Sequence, residues 1–262
     1  MKDGLITSPI NHVWTPQEME GGSFYNQMVN TVRRNIEDNG DWTFLHNQLN
    51  GDQMKASEFE TLSKRFAVFY RDTLNLGKGD AIHLIVGNHN FTYPALGGIW
   101  ILGGVPSLGD VGLDEKSIAS QLKDTNAKLV ICVDETWKRA RNAIELMDNK
   151  KIHLYSFDSK NKDQVENILE KLADIEEHYA PDPVEVKSTK RETCIIFWSS
   201  GTTGMPKGIC HSHCGAFHFL GFAKTMSQSN INVMTTTCFF HVGGFFTGIN
   251  ALEKRQTFNH VS

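Results

Sequence analysis

Four hydroxyl side chains, three glycines and a lysine fall within residues 199–208 of this 262-residue chain. The stretch follows residues 194–198, an apolar run typical of a buried strand. Glycines let backbone N–H groups converge on one point, while hydroxyls add donors and a lysine adds positive charge. Because a strand that leads into such a loop is suited to binding a polyphosphate, the stretch predicts nucleotide chemistry. The residues that would do this chemistry are Ser199, Ser200, Gly201, Thr202, Thr203, Gly204 and Lys207.

The spacing of this loop differs from that of a Walker A loop, in which the lysine directly follows a glycine and a helix begins. Here two residues separate Gly204 from Lys207, and Gly208 replaces the usual Ser or Thr. Pro206 disfavours helical backbone in the residue before it, and residues 209–212 suit a short strand. We therefore predict a loop between two strands. The simpler alternative is a flexible polar surface loop.

The loop resembles the phosphate-loop signature of the adenylate-forming superfamily, which includes acyl-CoA synthetases, 4-coumarate–CoA ligases and luciferases. His213 lies where this family has a histidine after the loop, and Phe240-His241 resembles the next family motif. The resemblance extends in order from about residue 43 to about residue 252. The loop is its most specific part.

The resemblance implies that a carboxylic acid, a small-molecule substrate, is activated with ATP. In the family the carboxylate attacks the α-phosphate, pyrophosphate leaves, and the acyl-adenylate reacts with a thiol, usually that of CoA. Lys207 would be the cation of the phosphate loop, and Mg²⁺ is implied because ATP carries it. The resemblance assigns the outer phosphates to Ser199, Ser200, Gly201, Thr202, Thr203 and Gly204.

The resemblance also assigns a catalytic role to His241, at the wall between the acyl and adenylate pockets, where it would orient the carboxylate. The alternative is a core histidine with one hydrogen bond. Gly243 and Gly244 follow it, near a position where the family often has an aromatic residue, so they predict a roomier acyl pocket.

No metal site is predicted around Cys210, His211, His213 and Cys214. Paired zinc ligands are usually separated by two or more residues, and adjacent strand residues point to opposite faces. We predict instead that the two cysteines are small core residues.

Composition excludes several classes of partner and compartment. The formal net charge is −4, which does not indicate a basic surface, and we predict no nucleic-acid partner. No apolar run is long enough to span a membrane, and no signal peptide begins the chain. The five cysteines form no tight framework, which suits a reducing compartment. We predict a cytoplasmic protein, or a peroxisomal one for a full-length version.

Strands and helices alternate along the chain, which predicts an α/β fold of mostly parallel sheets flanked by helices. Asn50-Gly51 predicts a β-hairpin, and residues 163–177 predict an amphipathic helix. We expect residues 1–40 to form an N-terminal segment with one helix. Residues 41–262 would be an incomplete AMP-binding domain, the first part of the large N-terminal domain of an adenylate-forming enzyme.

Later family motifs and the small C-terminal domain have no match here, and residues 255–262 do not continue the family pattern. We therefore expect the chain to be inactive alone. A non-catalytic nucleotide- or partner-binding fragment is the alternative. An apolar stripe would be exposed in an incomplete domain, which predicts self-association and poor order beyond about Thr237. The stripe consists of Phe245, Phe246, Ile249 and Leu252.

Overall fold

A computed structural model describes residues 22–147, 151–160, 163–199, 206–226 and 231–261, which form two β-sheets packed with helices. The strands are β1 (Thr43–Asn47), β2 (Gln53–Lys55), β3 (Ala81–Ile85), β4 (Val105–Leu108), β5 (Ala127–Cys132), β6 (His153–Ser156), β7 (Glu166–Asn167), β8 (Thr193–Ser199), β9 (Lys207–Ser212), β10 (Asn232–Met234) and β11 (Thr257–His260). The helices are α1 (Phe24–Asn39), α2 (Ala56–Asp72), α3 (Thr92–Ile101), α4 (Glu115–Thr125), α5 (Trp137–Leu146), α6 (Ile168–Leu172), α7 (His213–Met226) and α8 (Val242–Glu253), with a 3₁₀ turn at Glu177–Tyr179.

The larger sheet has the strand order β7-β6-β5-β3-β4-β8-β9. Neighbouring strands are parallel except for β8 and β9, which are antiparallel. Leu129 and Ile131 of β5 belong to one hydrophobic cluster, and Val130 and Cys132 belong to another. Both faces of this sheet are therefore covered, as parallel sheets require. The predicted α/β fold of mostly parallel sheets flanked by helices is confirmed.

The smaller sheet has the strand order β10-β11-β1-β2. β11 pairs in parallel with both β1 and β10, whereas β1 and β2 are antiparallel. Gly51 turns the chain between β1 and β2 with a φ of +79°, a conformation that L side chains rarely adopt. The structure thus confirms the predicted hairpin.

Glycines allow α3 to pack very closely against α2. A Cβ on Gly97 would be 2.1 Å from Ser63 Oγ, and one on Gly98 would be 2.5 Å from Phe66 Cβ. All ten residues of α3 are buried. No helix in the described ranges combines the length and apolarity needed to cross a membrane.

The predicted exposure of the apolar stripe on α8 is wrong. Its four residues are at most 1% exposed, because α1, α7, α8 and β11 pack together and Phe258 of β11 joins the same hydrophobic cluster. The basis of the predicted self-association is therefore absent in this structure. The segment beyond Thr237, predicted to be poorly ordered, instead forms α8 and β11. The stripe is Phe245, Phe246, Ile249 and Leu252.

The predicted helix over residues 163–177 is also wrong. Glu166 and Asn167 instead pair in parallel with Tyr155 and Ser156. The Asn167 side chain caps a helix, because its Oδ1 accepts from the Leu169 N–H at 2.9 Å. Helix α6 therefore begins only at Ile168. Local capping by an asparagine side chain thus competes successfully with helical periodicity.

Buried histidines should make the fold sensitive to acid. Burial lowers the pKa of four imidazoles to about 4. In the unfolded chain they titrate near 6.5, so between these pH values the unfolded state binds more protons. Stability is therefore complete above pH 6.5 and decreases as pH falls toward 4. The histidines are the buried His83, His213 and His260 and the half-buried His89.

We expect the urea midpoint, followed by circular dichroism, to fall clearly between pH 7.5 and pH 5. His83 is fully buried and alone contributes about 2 kcal/mol over this interval, because the 1.5 units between pH 6.5 and pH 5 count at 1.36 kcal/mol per unit of pKa. Equal midpoints at the two pH values would show that these imidazoles are solvated.

Candidate functional site: the β8–β9 hairpin

The predicted polyphosphate loop joins β8 to β9 as a hairpin. Ser199 pairs with Lys207, and Trp198 pairs with Gly208. Ser199 Oγ lies 3.4 Å from the Lys207 carbonyl oxygen. A loop between two strands was predicted because Pro206 opposes a helix, and the register shows these two strands. The remaining loop residues lie outside the described ranges, so their roles stay predictions. They are Ser200, Gly201, Thr202, Thr203 and Gly204.

Lys207 is exposed and makes no ion pair with any acidic side chain that the structure describes. It is the first residue of β9, directly across from the last residue of β8. Parallel strands end at one edge, so the hairpin begins at the carboxyl edge of the sheet, where α/β folds bind ligands. The lysine ammonium is therefore available to an anion at this edge.

His241 caps helix α8 rather than lying in the core. Its ring is exposed, and the Gly243 N–H donates to its Nδ1 at 3.3 Å. A lone pair on Nδ1 places the ring proton of a neutral imidazole on Nε2, which can donate to a carboxylate. Helix α8 is fixed against β8, because the rings of Phe197 and Phe245 are 5.3 Å apart. The core alternative for His241 is thus excluded, while its catalytic role stays a prediction.

The two glycines after His241 have different structural roles. A Cβ on Gly244 would lie 2.3 Å from the Cys238 carbonyl oxygen, so close backbone packing requires glycine there. A Cβ on Gly243 would meet only His241 Nδ1, at 3.6 Å. Only Gly243 leaves open space, so the predicted roomier acyl pocket depends on this position alone.

His213 contributes to structure rather than to the hairpin. It is buried, and its Nδ1 accepts a hydrogen bond from the Phe24 N–H at 3.1 Å. Burial lowers its pKa to about 4, so the ring is neutral and joins α7 to α1.

Cys210 was predicted in the core but is exposed, and Cys214 is only half-buried. The prediction is wrong for Cys210 because β9 is an edge strand of the sheet. Among the described residues, no group of three His, Cys, Asp or Glu side chains could hold a metal ion.

A cavity of about 790 Å³ opens where β3, β5 and β6 end. Four carboxylates line it, and no lysine or arginine is among its described lining residues. These negative charges disfavour the binding of phosphates and carboxylate substrates there. The lining acids are Asp52, Glu58, Glu135 and Asp158.

Sequence reasoning missed three polar side chains behind the hairpin. His83 of β3, Ser107 of β4 and Trp198 of β8 form a hydrogen-bonded chain across three neighbouring strands. The only signal in the sequence was a histidine within the apolar run of residues 81–86, and nothing local linked it to the other two.

The fold is an α/β domain with a strand–loop–strand hairpin at the carboxyl edge of its larger sheet. A sequence model described as AMP-binding enzyme matches residues 32–255, so the chain belongs to that family. The resemblance to the adenylate-forming superfamily is confirmed.

Curated relatives include 4-coumarate–CoA ligase 1 of Petroselinum crispum, 28% identical over 184 residues, or 69% of this chain and 32% of the relative. Another is the peroxisomal trans-cinnamate:CoA ligase of Petunia hybrida, 30% identical over 165 residues, or 55% of this chain and 28% of the relative. The chain thus spans about a third of the length of these relatives.

A solved structure with the same fold is the luciferase-like enzyme from the nonluminescent Zophobas morio mealworm. Its TM-score is 0.80 at 17% identity, over 91% of this chain and 54% of the mealworm chain. At this identity the likeness shows the fold.

Proposed function

We propose that this chain is the triphosphate-binding part of an acyl-CoA synthetase-like ligase that activates a carboxylic acid with ATP. Membership of the AMP-binding enzyme family and relatives named as CoA ligases support the proposal. The observation that carries it is the β8–β9 hairpin, with Ser199 and the exposed Lys207 paired at the base of the loop. These groups lie at the carboxyl edge of the sheet, where an anion can reach them.

The proposed reaction has two balanced steps. A carboxylate oxygen bonds to the α-phosphorus, and the bond from that phosphorus to the bridging oxygen breaks, so pyrophosphate leaves. The sulfur of CoA then bonds to the acyl carbon, AMP leaves with its oxygen, and the thiol proton passes to solvent. His241 would donate from Nε2 to the carboxylate and orient it.

The hairpin would stabilise negative charge that moves toward pyrophosphate in the first step. Fixed donors do so better than water because they need no reorganisation. Lys207 supplies the positive charge, and Mg²⁺ would come bound to the phosphates, since the described residues offer no metal-binding cluster. The proposed donors are Ser199, Ser200, Gly201, Thr202, Thr203, Gly204 and Lys207.

We further propose that the 262-residue chain binds ATP but does not turn it over. The reason is that the chain spans only about a third of the length of its curated relatives, whose activity is that of the whole protein. The second candidate, supported by the same partial coverage, is a fragment that binds a nucleotide or a partner and has no part in catalysis. We also propose a cytoplasmic location, or a peroxisomal one for a full-length version; the name of the peroxisomal Petunia relative supports the second.

Calorimetry and isotope exchange test both proposals. The chain is titrated with Mg-ATP, Mg-tripolyphosphate and AMP, and is assayed for exchange of labelled pyrophosphate into ATP with a panel of carboxylic acids. We expect Mg-ATP and tripolyphosphate to bind, AMP to bind at least tenfold more weakly, and no exchange. Absence of tripolyphosphate binding would refute the role of the hairpin. Exchange above background would refute the proposed inactivity.

A further inference from the structure

A chain of hydrogen bonds connects the core of the larger sheet to the hairpin. The Trp198 Nε1–H donates to Ser107 Oγ at 2.9 Å, and Ser107 Oγ lies 3.0 Å from His83 Nδ1. His83 and Ser107 are fully buried, and Trp198 is half-buried. The three residues occupy β3, β4 and β8, which are adjacent in the sheet.

One end of this series of hydrogen bonds has a fixed direction. An indole N–H can only donate, so Ser107 Oγ accepts from Trp198. The direction of the bond between Ser107 Oγ and His83 Nδ1 follows the tautomer of the ring. Burial lowers the pKa of His83 to about 4, so the ring is neutral and carries one proton.

Trp198 contacts both strands of the hairpin next to the loop. It pairs with Gly208, and a Cβ on Gly208 would lie 3.3 Å from ring atoms Cζ3 and Cη2 of Trp198. Its neighbours in the register are the pair Ser199 and Lys207. The indole therefore spans the hairpin one residue before the groups that would meet phosphate.

The opposite face of β8 is fixed in a different way. Side chains alternate along a strand, and Phe197 packs against Phe245 and Phe246 of α8 with ring centroids 5.3 and 6.0 Å apart. The hydrogen bond of 2.9 Å from Trp198 to Ser107 adds a directional constraint on the other face, at the end of β8 next to the loop.

We propose that Trp198 is a positioning residue: its indole, anchored on Ser107 and His83, holds the β8–β9 hairpin so that Ser199 and Lys207 meet a triphosphate. The positioning of the strands is argued from the hydrogen bonds of Trp198, Ser107 and His83 alone. The consequence for the triphosphate rests on the function proposed above.

Trp198→Phe tests the proposal, because it retains an aromatic ring and removes the N–H donor. Trp100→Phe is the matched control, since the Trp100 Nε1–H donates to the Cys194 carbonyl at 2.7 Å near the opposite end of β8. We expect Trp198→Phe to speed amide hydrogen exchange of residues 207–212 by about tenfold, a change that the control does not produce. Mg-tripolyphosphate affinity should fall by about tenfold in Trp198→Phe and by less than twofold in the control.

Ser107→Ala is a second variant, on β4, that removes the acceptor of the Trp198 hydrogen bond. It should reproduce the faster exchange of residues 207–212, and nitrogen NMR should show the His83 Nδ1 resonance shifting as it loses its hydrogen bond. A His83 Nδ1 resonance that does not shift in Ser107→Ala would overturn the proposed anchoring of Ser107 on His83.

Two different failures can be told apart. If the wild-type chain does not bind tripolyphosphate, the proposed function fails, and the exchange rates still decide whether Trp198 positions the hairpin. The positioning role is refuted if the amides of residues 207–212 exchange hydrogen in Trp198→Phe at the wild-type rate. It is also refuted if the wild-type chain binds Mg-tripolyphosphate and Trp198→Phe loses no more affinity for it than Trp100→Phe does.

Discussion

Lys207→Ala is expected to weaken binding of Mg-ATP by roughly 10- to 100-fold, because a hydrogen bond to a charged group contributes about 1.5–3 kcal/mol. Lys207 is exposed at the base of the hairpin and makes no ion pair with the described acids, so no described carboxylate neutralises its charge. Isothermal calorimetry at fixed ionic strength measures the effect directly.

Lys190→Ala is the matched control, since this exposed lysine precedes the opposite, amino end of β8 and loses the same charge. Its affinity for Mg-ATP should stay within twofold of wild type. Raising the salt concentration should reduce the difference between the two variants only partly, since screening acts most on exposed, distant charges. An unchanged affinity of Lys207→Ala would remove the role assigned to this lysine.

Gly248→Ala is expected to destabilise the fold by about 2–4 kcal/mol, the cost of overpacking a dense core plus a lost hydrogen bond. A Cβ there would lie 1.9 Å from Tyr93 Oη and 2.8 Å from Phe258 Cε1. The Tyr93 hydroxyl cannot easily move, because it donates to the Phe245 carbonyl at 3.2 Å and is fully buried. Urea unfolding measures the change in free energy.

Gly243→Ala provides the comparison within the same helix. Its Cβ would meet only His241 Nδ1, at 3.6 Å, so the gain of alanine over glycine in a helix should make this variant neutral or up to about 1 kcal/mol more stable. Similar unfolding midpoints for the two variants would show that α8 is not packed as described.

Local pattern predicted those elements whose partners lie nearby in the chain. The hairpin around Asn50-Gly51 and the loop between β8 and β9 both follow from turn residues between two short apolar runs. Residues 163–177 were misassigned because helical periodicity was present, while the pairing of Asn167 with Ser156 depends on a strand that local sequence does not indicate.

Long-range pairing accounts for the remaining differences. The stripe on α8 was correctly identified as apolar, but its cover comes from α1, α7 and β11, which a single segment cannot reveal. In the site, the loop residues were found from their types and spacing. The bond between Ser107 and Trp198 joins residues 91 positions apart, so no local pattern could predict it.

The position of β11 between β1 and β10 has a consequence for biosynthesis. The Thr257 hydroxyl bonds to the Thr43 carbonyl across 214 positions. At about 5–20 residues per second of translation, β1 is made roughly 10–40 seconds before its neighbour exists. During that interval one edge of β1 is open to any other extended polypeptide. The nascent chain should therefore depend on chaperones until β11 leaves the ribosome.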